Sequence, residues 1–412
     1  MSILFRLFVF LLPTQLGYHF WPEWSYVFGI RTDYLSPTLF ISDLLLLAIL
    51  GIFIIQAFIK KSKFSRRTLS LLVAFLGLVL ANLVLASVWQ VAALKWVKIF
   101  EIFLLAYMVA QSKGFNFKSW VFIPLSLSVI FFSAIGVAQY VLGKTVGGLL
   151  YFLGERTFTL GTPGIAIANF MGQIHLRAYS TFPHPNSLAG FLGVSLLILL
   201  FVGCANKVDN WLKFSAIFVG GVCLLLTFSA AAIVSLSALL FLTIVKSRRK
   251  LLRWSSYGIF WLVIVASLLL PIFSKPLMAK IESGNETILK RLSLTHAAGR
   301  MISERPFLGE GAGNFIVELP KKSNYPASAW WLQPVHNIFL LTFSEAGIVG
   351  LLIFIFILFS ALGKSLNTSI NLVFPLLFIV LTGSLDHYWL TLQQNQLMLG
   401  LVLGLSFRRV RA

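Results

Sequence analysis

The sequence has few charged residues, few acidic residues and almost no cysteine. Only 11% of its 412 residues are charged, whereas soluble domains average about 25%. Hydrophobic residues make up 58% of the chain, which is more than a soluble core can shield from water. They form continuous runs rather than an alternating pattern, which argues against a transmembrane β-barrel. The composition therefore predicts an all-α, polytopic membrane protein.

Several further absences restrict the chemistry. The two cysteines, Cys204 and Cys223, both lie inside apolar runs, so we predict neither a disulfide framework nor a metal site. No Walker-type phosphate-binding loop is present, which argues against ATP as an energy source. There is also no Asp-x-Asp motif of the kind that holds Mg²⁺ for a nucleotide-sugar donor. The sequence therefore predicts no metal and no cofactor.

Apolar runs long enough to cross a bilayer, about 17–25 residues each, predict about 12 transmembrane helices. We place them at residues 2–16, 38–59, 68–88, 96–112, 119–141, 186–204, 211–228, 229–246, 252–273, 336–361, 369–388 and 391–407. The run from Phe214 to Val245 is long for one crossing. We therefore expect a tight turn near Thr227-Phe228-Ser229-Ala230 between two helices.

The distribution of basic residues predicts the orientation. The chain carries 33 Lys and Arg against 13 Asp and Glu, for a net charge of +20. If the N-terminus is cytoplasmic, the basic residues gather in the cytoplasmic loops and tail, as the positive-inside rule requires. They are Lys60, Lys61, Lys63, Arg66, Arg67, Lys113, Lys118, Lys207, Lys213, Lys246, Arg248, Arg249, Lys250, Arg253, Lys364, Arg408, Arg409 and Arg411. We predict a cytoplasmic (inner) membrane protein with both termini cytoplasmic, and the charge needs no nucleic-acid partner.

We interpret residues 1–412 as a single membrane domain with two extracytoplasmic segments. The first, 143–185, is rich in glycine and proline and is expected to be irregular or re-entrant. The second, 274–335, is a large polar loop that precedes the last three transmembrane helices, 336–407. An amphipathic helix is predicted within it from Leu292 to Glu304. Its apolar side carries Leu294, Ala298, Met301 and Ile302.

Three motifs lie at these extracytoplasmic segments. One is His336-Asn337, at the start of a predicted helix, followed by Gly347 and Gly350. The others run from Arg177 through Thr181-Phe182-Pro183-His184-Pro185-Asn186, and from Arg291 through Pro306-Phe307-Leu308-Gly309 to Gly311 and Gly313. A neutral imidazole at a membrane surface can accept a proton from a sugar hydroxyl. Guanidinium groups match phosphate oxygens in bidentate fashion. The alternative is a histidine that only caps its helix and arginines that only face lipid headgroups.

The three motifs resemble those of the O-antigen ligase and O-antigen polymerase superfamily, over roughly residues 170–405. The resemblance implies transfer of a glycan from undecaprenyl pyrophosphate to an acceptor hydroxyl on the extracytoplasmic face of the membrane. The acceptor could be a glycan, a lipid or a protein. It also implies a metal-independent inverting mechanism, with His336 as the base and Arg177 and Arg291 on the pyrophosphate.

Other residues have expected supporting roles. Arg300 is a further pyrophosphate-binding candidate, whereas Asn337, Asp386 and His387 are candidates to support His336 or to bind the glycan. Gly347 and Gly350 are expected to allow close packing between helices.

The chain departs from the resemblance at one position. Where family members often carry Ser-Arg-Gly, this sequence has Ser229-Ala230-Ala231, so another cation such as Arg177 or Arg300 would have to supply the charge, or the activity is altered. The alternative function is a lipid-linked-oligosaccharide flippase, or another membrane transporter without covalent chemistry. Such a protein is expected to place its charges along a path at mid-bilayer.

Overall fold

The computed structural model describes residues 1–59, 66–204, 206–243, 249–280, 286–323, 331–368 and 372–408, and these parts are mostly helical. The helices are α1 (Ser2–Phe10), α2 (Ile41–Ile59), α3 (Arg66–Leu85), α4 (Trp89–Gln111), α5 (Ile123–Leu142), α6 (Pro185–Leu200), α7 (Lys207–Leu226), α8 (Ala230–Leu242), α9 (Arg249–Lys280), α10 (Glu286–Glu304), α11 (Phe315–Lys322), α12 (Ile338–Thr368), α13 (Val373–Gly383), α14 (Tyr388–Thr391) and α15 (Gln393–Phe407). Of the predicted basic residues, Lys60, Lys61, Lys63, Lys246, Arg248, Arg409 and Arg411 lie outside the described residues.

Three short pairs of antiparallel strands, absent from the all-α prediction, interrupt the helices. They pair β1 (Gly17–His19) with β4 (Thr38–Phe40), β2 (Tyr26–Val27) with β3 (Ile30–Arg31), and β5 (Ile167–Phe170) with β6 (Gln173–Leu176). Between β5 and β6 lies a two-residue turn, Met171-Gly172, in which both residues have positive φ. Such a turn matches the twist of the strands it joins. The first predicted extracytoplasmic segment therefore contains regular structure.

Every predicted transmembrane segment contains a helix, but the helices differ in length. Within the described residues, four are long and apolar enough to cross a bilayer, namely Lys118–Leu142, Lys207–Leu226, Lys250–Ser274 and Ile338–Asn367. α1 has 9 residues and is about 14 Å long, too short to cross a hydrocarbon core of about 30 Å. The protein is thus a helical membrane protein, and the count of 12 crossings stays a prediction. The expected turn at 227–230 is confirmed, because α7 ends at Leu226 and α8 begins at Ala230.

Three helices, α6, α13 and α15, are buried on nearly every side. Small residues allow their neighbours to come close. A Cβ atom on Gly193 would lie 2.1 Å from the ring of Phe378, and one on Gly190 would lie 2.5 Å from the ring of Tyr388. Packing between membrane helices depends on such small residues, because lipid provides no hydrophobic drive for helix association. α6 is therefore closely packed against α13 and α14, next to the polar residues at the ends of these helices.

α12 is broken at Gly347, whose φ is +63°. The loop that starts at Pro306 enters the break and satisfies the backbone groups it exposes, as irregular backbone at membrane depth requires. Ile348 N donates to the Pro306 carbonyl at 2.8 Å, and Glu310 N donates to the Ser344 carbonyl at 2.9 Å. The predicted role of Gly347 in helix–helix packing is thus wrong, because a Cβ atom there would lie 2.2 Å from the backbone of Phe307 in this loop.

Gly350 does not face a neighbouring helix either. The only contact that an added Cβ atom would make within 4 Å is with the Cβ atom of Ala346, at 2.3 Å, in the same helix. Neither glycine therefore faces a crossing helix. Gly347 lies against the loop that enters the break in α12, and Gly350 lies against Ala346 of its own helix.

The loop is also fixed to α3 by a buried asparagine that sequence reasoning did not single out. Asn82 Nδ2 donates to the carbonyls of Leu308 and Glu345, at 2.9 and 3.0 Å. Its Oδ1 accepts from Trp96 Nε1 at 2.8 Å and from Ala312 N at 2.9 Å. This one amide uses both its donor hydrogens and its acceptor oxygen, and it joins α3, α4, the loop and α12.

α9 continues to Lys280, so the first residues of the second predicted extracytoplasmic segment are helical, while the part of α9 that is apolar enough to cross a bilayer ends at Ser274. The predicted amphipathic helix is confirmed as part of α10, which begins at Glu286. Leu294, Ala298 and Met301 are buried on its inner side, as expected, and Ile302 is half-buried. Residues 281–285 and 324–330 of this segment lie outside the described residues.

Candidate active site

Polar side chains from four parts of the chain meet at the ends of the buried helices. Asn186 lies at the start of α6, and Asp386 and His387 lie in the link between α13 and α14. His336 directly precedes α12, and Arg177 directly follows β6. The arrangement brings together residues that are far apart in the chain, from Arg177 to His387.

Asp386 is the centre of this cluster. Its Oδ1 lies 3.3 Å from His336 Nδ1 and accepts a hydrogen bond from the backbone N–H of His387 at 2.8 Å. Its Oδ2 accepts from Asn186 Nδ2 at 2.9 Å. Burial opposes ionisation, but the hydrogen bond and charge of His336, with the nearby His387 and His184, hold the pKa of Asp386 well below its usual range. The carboxylate is therefore ionised and can only accept hydrogen bonds.

An ionised Asp386 fixes the tautomer of His336. Because the carboxylate accepts, the proton of a neutral His336 ring is held on Nδ1, and Nε2 carries the lone pair. Nε2 is buried and has no hydrogen-bond partner among the described residues. A carboxylate that orients an imidazole in this way leaves the far nitrogen to accept a proton.

The two neighbouring histidines are engaged differently. His387 Nδ1 lies 2.7 Å from Thr391 Oγ1, and burial lowers the pKa of His387 to about 3. His184 is exposed, and its Nδ1 accepts from Asn186 N at 3.1 Å as the N-cap of α6. His336 is thus the histidine of this cluster whose described contacts leave a buried ring nitrogen without a partner.

Arg177 extends the cluster into a continuous hydrogen-bonded chain. Its Nη2 donates to Asn186 Oδ1 at 2.8 Å, and its Nε donates to the Thr227 carbonyl at 2.5 Å. Asn186 in turn donates to Asp386, so the chain runs Arg177–Asn186–Asp386–His336. Burial lowers the pKa of Arg177, but a guanidinium stays charged in proteins.

The predicted arginines do not all face this cluster. Arg291 Nη1 lies 3.5 Å from the Leu385 carbonyl, next to Asp386, and its charge acts on Arg177. Arg300 follows nine residues later on α10, which at about 100° per residue is half a turn away. Its Nη1 donates to the Lys322 carbonyl at 3.2 Å. The structure therefore brings Arg177 and Arg291 to His336, whereas Arg300 is directed to the end of α11.

Asn337 supports the helix rather than a ligand. Its Oδ1 accepts from Phe339 N at 2.9 Å and Leu340 N at 3.0 Å, which caps α12. Its Nδ2 donates to the Ser384 carbonyl at 2.9 Å, and the residue is buried. Asn337 thus ties the residue after His336 to the end of α13 and leaves its side chain no freedom to bind a glycan.

Arg177 also lies at the turn where the sequence departs from the family resemblance. Ala230 is the exposed first residue of α8, and the turn before it receives the Arg177 Nε at the Thr227 carbonyl. Of the two cations considered as substitutes, Arg177 therefore contacts this turn, whereas the described hydrogen bond of Arg300 leads to Lys322. A second guanidinium, that of Arg156, donates to the Pro183 carbonyl at 2.6 Å, beside His184.

A metal ion is the other group this cluster could hold. His336, Asp386 and His387 each offer one ligand atom, and these atoms lie within 4.8 Å of one another. The Asp386 carboxylate already has close contacts with His336, His387 and Asn186. Most of its acceptor capacity is thus used, which favours orientation of the imidazole over metal ligation.

Residues 215–355 match a family model described as O-antigen ligase. This match confirms, over that range, the resemblance to the O-antigen ligase and polymerase superfamily that the motifs predict. The matched range includes Arg291, His336 and the loop that enters α12, whereas Arg177 and Asp386 lie outside it. No curated protein matches the chain.

Proposed function

We propose that the protein is a membrane glycosyltransferase that moves a glycan from an undecaprenyl-pyrophosphate carrier to an acceptor hydroxyl. The observation that carries the proposal is the chain Arg177–Asn186–Asp386–His336, which ends in a buried nitrogen without a partner. The family match supports the same class of reaction. We place the reaction on the extracytoplasmic face of the cytoplasmic membrane, following the predicted orientation.

In the proposed reaction, His336 Nε2 removes the proton from the acceptor hydroxyl as its oxygen attacks the anomeric carbon of the donor. The bond from that carbon to the pyrophosphate oxygen breaks, and the lipid pyrophosphate leaves with the electron pair. Attack from the opposite side inverts the anomeric centre. The proton on His336 is later released to water. No metal ion is needed for any of these steps.

Three charged side chains assist this transfer. Asp386 stabilises the imidazolium that forms on His336, as a buried carboxylate does in a hydrolase triad. Arg177 and Arg291 stabilise the negative charge that develops on the leaving pyrophosphate, because both guanidinium groups flank the link that holds Asp386. Three acceptors fit this chemistry, namely a glycan, a lipid and a protein, and we favour ligase-type transfer.

The buried ionic contacts elsewhere give little support to a transporter. Lys98 Nζ lies 2.6 Å from Asp43 Oδ2 and 3.3 Å from Glu101 Oε2. These three residues thus pair among themselves, whereas the groups that could act on a substrate gather around Asp386. Pairing of opposite charges offsets part of the cost of holding each of them in lipid.

Donor turnover in proteoliposomes tests the proposal. Purified protein given a lipid-linked glycan and acceptor should release undecaprenyl pyrophosphate, and His336→Ala should abolish release without loss of folded protein. His19→Ala is the matched control, because His19 lies on β1 and bonds to Thr38 Oγ1 at 2.9 Å. If glycan is never transferred and lipid crosses the bilayer at the same rate in wild type and His336→Ala, the protein is a transporter instead.

A further inference from the structure

The segment between α5 and Arg177 is unusually poor in charge for a chain outside the transmembrane helices. Residues 157–176 contain no Asp, Glu, Lys or Arg. Glu155, just before them, is buried and accepts from the backbone N–H groups of Val146 and Gly147, at 2.8 and 2.7 Å. The charge of Glu155 is therefore used inside the segment, and the exposed charged side chains of the segment are Lys144 and Arg156, both outside residues 157–176.

The surface of this segment is apolar at two places. At the tip of the β5–β6 hairpin, Met171 is 88% exposed and Ile174 60%. In the short 3₁₀ helix Gly148–Leu153, Leu149 is 82% exposed and Phe152 63%. Large apolar side chains gathered on a protein surface mark contact with a membrane or with another protein.

Contacts with the neighbouring helices decide between these partners. The hairpin lies against the ends of two membrane-capable helices, since Phe170 packs 6.1 Å from Phe228 and His175 stacks on Tyr140 at 5.1 Å. The same ends expose Val141 on α5 and Leu225 on α7. The apolar surface of the segment is therefore continuous with helix surfaces that already face lipid.

We propose that the tip of the β5–β6 hairpin and the 3₁₀ helix Gly148–Leu153 insert into the lipid leaflet on the side of the membrane that holds the Asp386 cluster. The partner is the acyl chains of the bilayer. Insertion of Met171, Ile174, Leu149 and Phe152 removes their apolar surface from water, as in other interfacial anchors.

The hairpin also sets the depth of an arginine. Arg177 follows β6 directly, and its N–H donates to the Ala166 carbonyl at 3.3 Å beside the hairpin. Anchoring the hairpin in lipid therefore holds the Arg177 guanidinium near the plane of the phosphate headgroups. This consequence for the reaction rests on the proposed function, whereas the insertion itself does not.

Fluorescence quenching on the full chain in phosphatidylethanolamine–phosphatidylglycerol vesicles tests the insertion. A polarity-insensitive label is attached to Met171→Cys in a Cys204→Ser background, because Cys204 is half-buried and Cys223 is buried. The matched control is Lys321→Cys, an exposed position on α11. We expect brominated acyl chains to quench the label at 171 several-fold more than the label at 321, and aqueous iodide to do the reverse.

A second label at Leu149→Cys guards against misfolding of the first variant and should behave as the label at 171 does. Equal access of iodide to positions 171 and 321 would place the hairpin in water and overturn the proposal. Protection of position 171 from both quenchers would mean that protein covers it, which also overturns the proposal. None of these readings requires glycan transfer, so their failure is distinct from failure of the proposed enzyme activity.

Discussion

The two predicted extracytoplasmic segments supply one arginine each to the same site, but they hold it in different ways. The first segment has an apolar surface and ends in Arg177, which makes two hydrogen bonds, to Asn186 and Thr227. The second is a charged helical segment whose Arg291 has a long, 3.5 Å contact with the Leu385 carbonyl. The Arg177 guanidinium is thus held in place and needs no reorganisation, whereas the Arg291 guanidinium can still move.

The surroundings of the two arginines also differ, because the first segment has an apolar surface and the second a charged one. The described part of the second segment has ion pairs along its surface, Lys290–Glu286 at 3.1 Å and Lys321–Glu318 at 2.8 Å. The Lys290–Glu286 pair has an exposed carboxylate and contributes little stability, whereas the Glu318 carboxylate of the other pair is buried. The difference suggests that lipid orients the first segment, whereas insertion of the Pro306 loop into α12 orients the second. Changes at each attachment should therefore separate their roles.

The largest effect is expected from Gly347→Leu, which removes the attachment of the second segment. The left-handed φ of +63° disfavours a side chain by about 1–2 kcal/mol, and the new Cβ atom would overlap the Phe307 backbone. We expect little folded protein in a detergent thermal-unfolding assay. Gly258→Leu, where nothing lies within 4 Å of the new Cβ atom, should unfold as wild type does, and His336→Ala should unfold at nearly the wild-type temperature. Normal folding of Gly347→Leu would refute the described break.

The two arginines should separate in a paired experiment. Removing one preorganised donor to a developing charge costs about 10²–10³ in kcat, so Arg177→Ala and Arg291→Ala should both lower donor turnover by that order. Only Arg177→Ala should also lower the unfolding temperature, because it leaves Asn186 Oδ1 and the Thr227 carbonyl without their donor.

Lysine substitutions sharpen this pair. Arg177→Lys should rescue little, since one ammonium cannot reproduce two directed bonds from a planar guanidinium. Arg291→Lys should recover a larger part of the turnover, because a mobile point charge can still approach a pyrophosphate. Equal loss of stability in both alanine variants would show that the two segments hold their arginines alike.

The sequence predicts the class and the principal chemical groups of this site, but not its geometry. The His336-Asn337 and Arg177 motifs are local patterns, so spacing alone is enough to select them. Asn186 and Asp386 are joined by a hydrogen bond across 200 positions, and nothing in the local sequence of either residue announces its partner. The sequence offers Asp386 as one of three candidates to support His336, and the fold is needed to show that its carboxylate is the group beside His336 Nδ1.

Two predictions lacked the local geometry for different reasons. Gly347 was assigned from a helix pattern, which assumes an unbroken helix, whereas Arg300 was assigned from its place in the second predicted extracytoplasmic segment. The break in α12 gives Gly347 a loop as its neighbour. The half-turn between Arg291 and Arg300 allows only one of them to face the site. The helical period could have excluded Arg300 before the structure, once Arg291 was chosen.

A moderate loss of stability is expected at acid pH, and it arises at the link between α13 and α14, which holds Asp386 and His387. The pKa of His387 is lowered by burial to about 3, against about 6.5 in an unfolded chain. Between these values the unfolded state binds more protons than the folded one, so stability falls as pH decreases from about 6.5. Below about pH 4, protonation of Asp386, whose folded pKa is held low, adds to the loss.

Thermal unfolding between pH 7 and 4.5 measures this slope. His387→Asn should flatten it, since the variant no longer has an imidazole that the unfolded chain can protonate there. An unchanged slope in His387→Asn would assign the acid sensitivity to other groups.

The smallest effect is expected at Arg300, and it tests whether only one arginine of α10 serves the site. Arg300→Ala loses the contact with the Lys322 carbonyl, so the end of α11 should become slightly less stable. Donor turnover should stay within about twofold of wild type, because the described contact of Arg300 leads to the end of α11 and not to Asp386. Arg291→Ala, on the same helix, is the matched comparison in the same assay. A loss at Arg300 as large as that at Arg291 would require both faces of α10 to reach the donor, which a helix fixed along Leu294, Ala298 and Met301 does not allow.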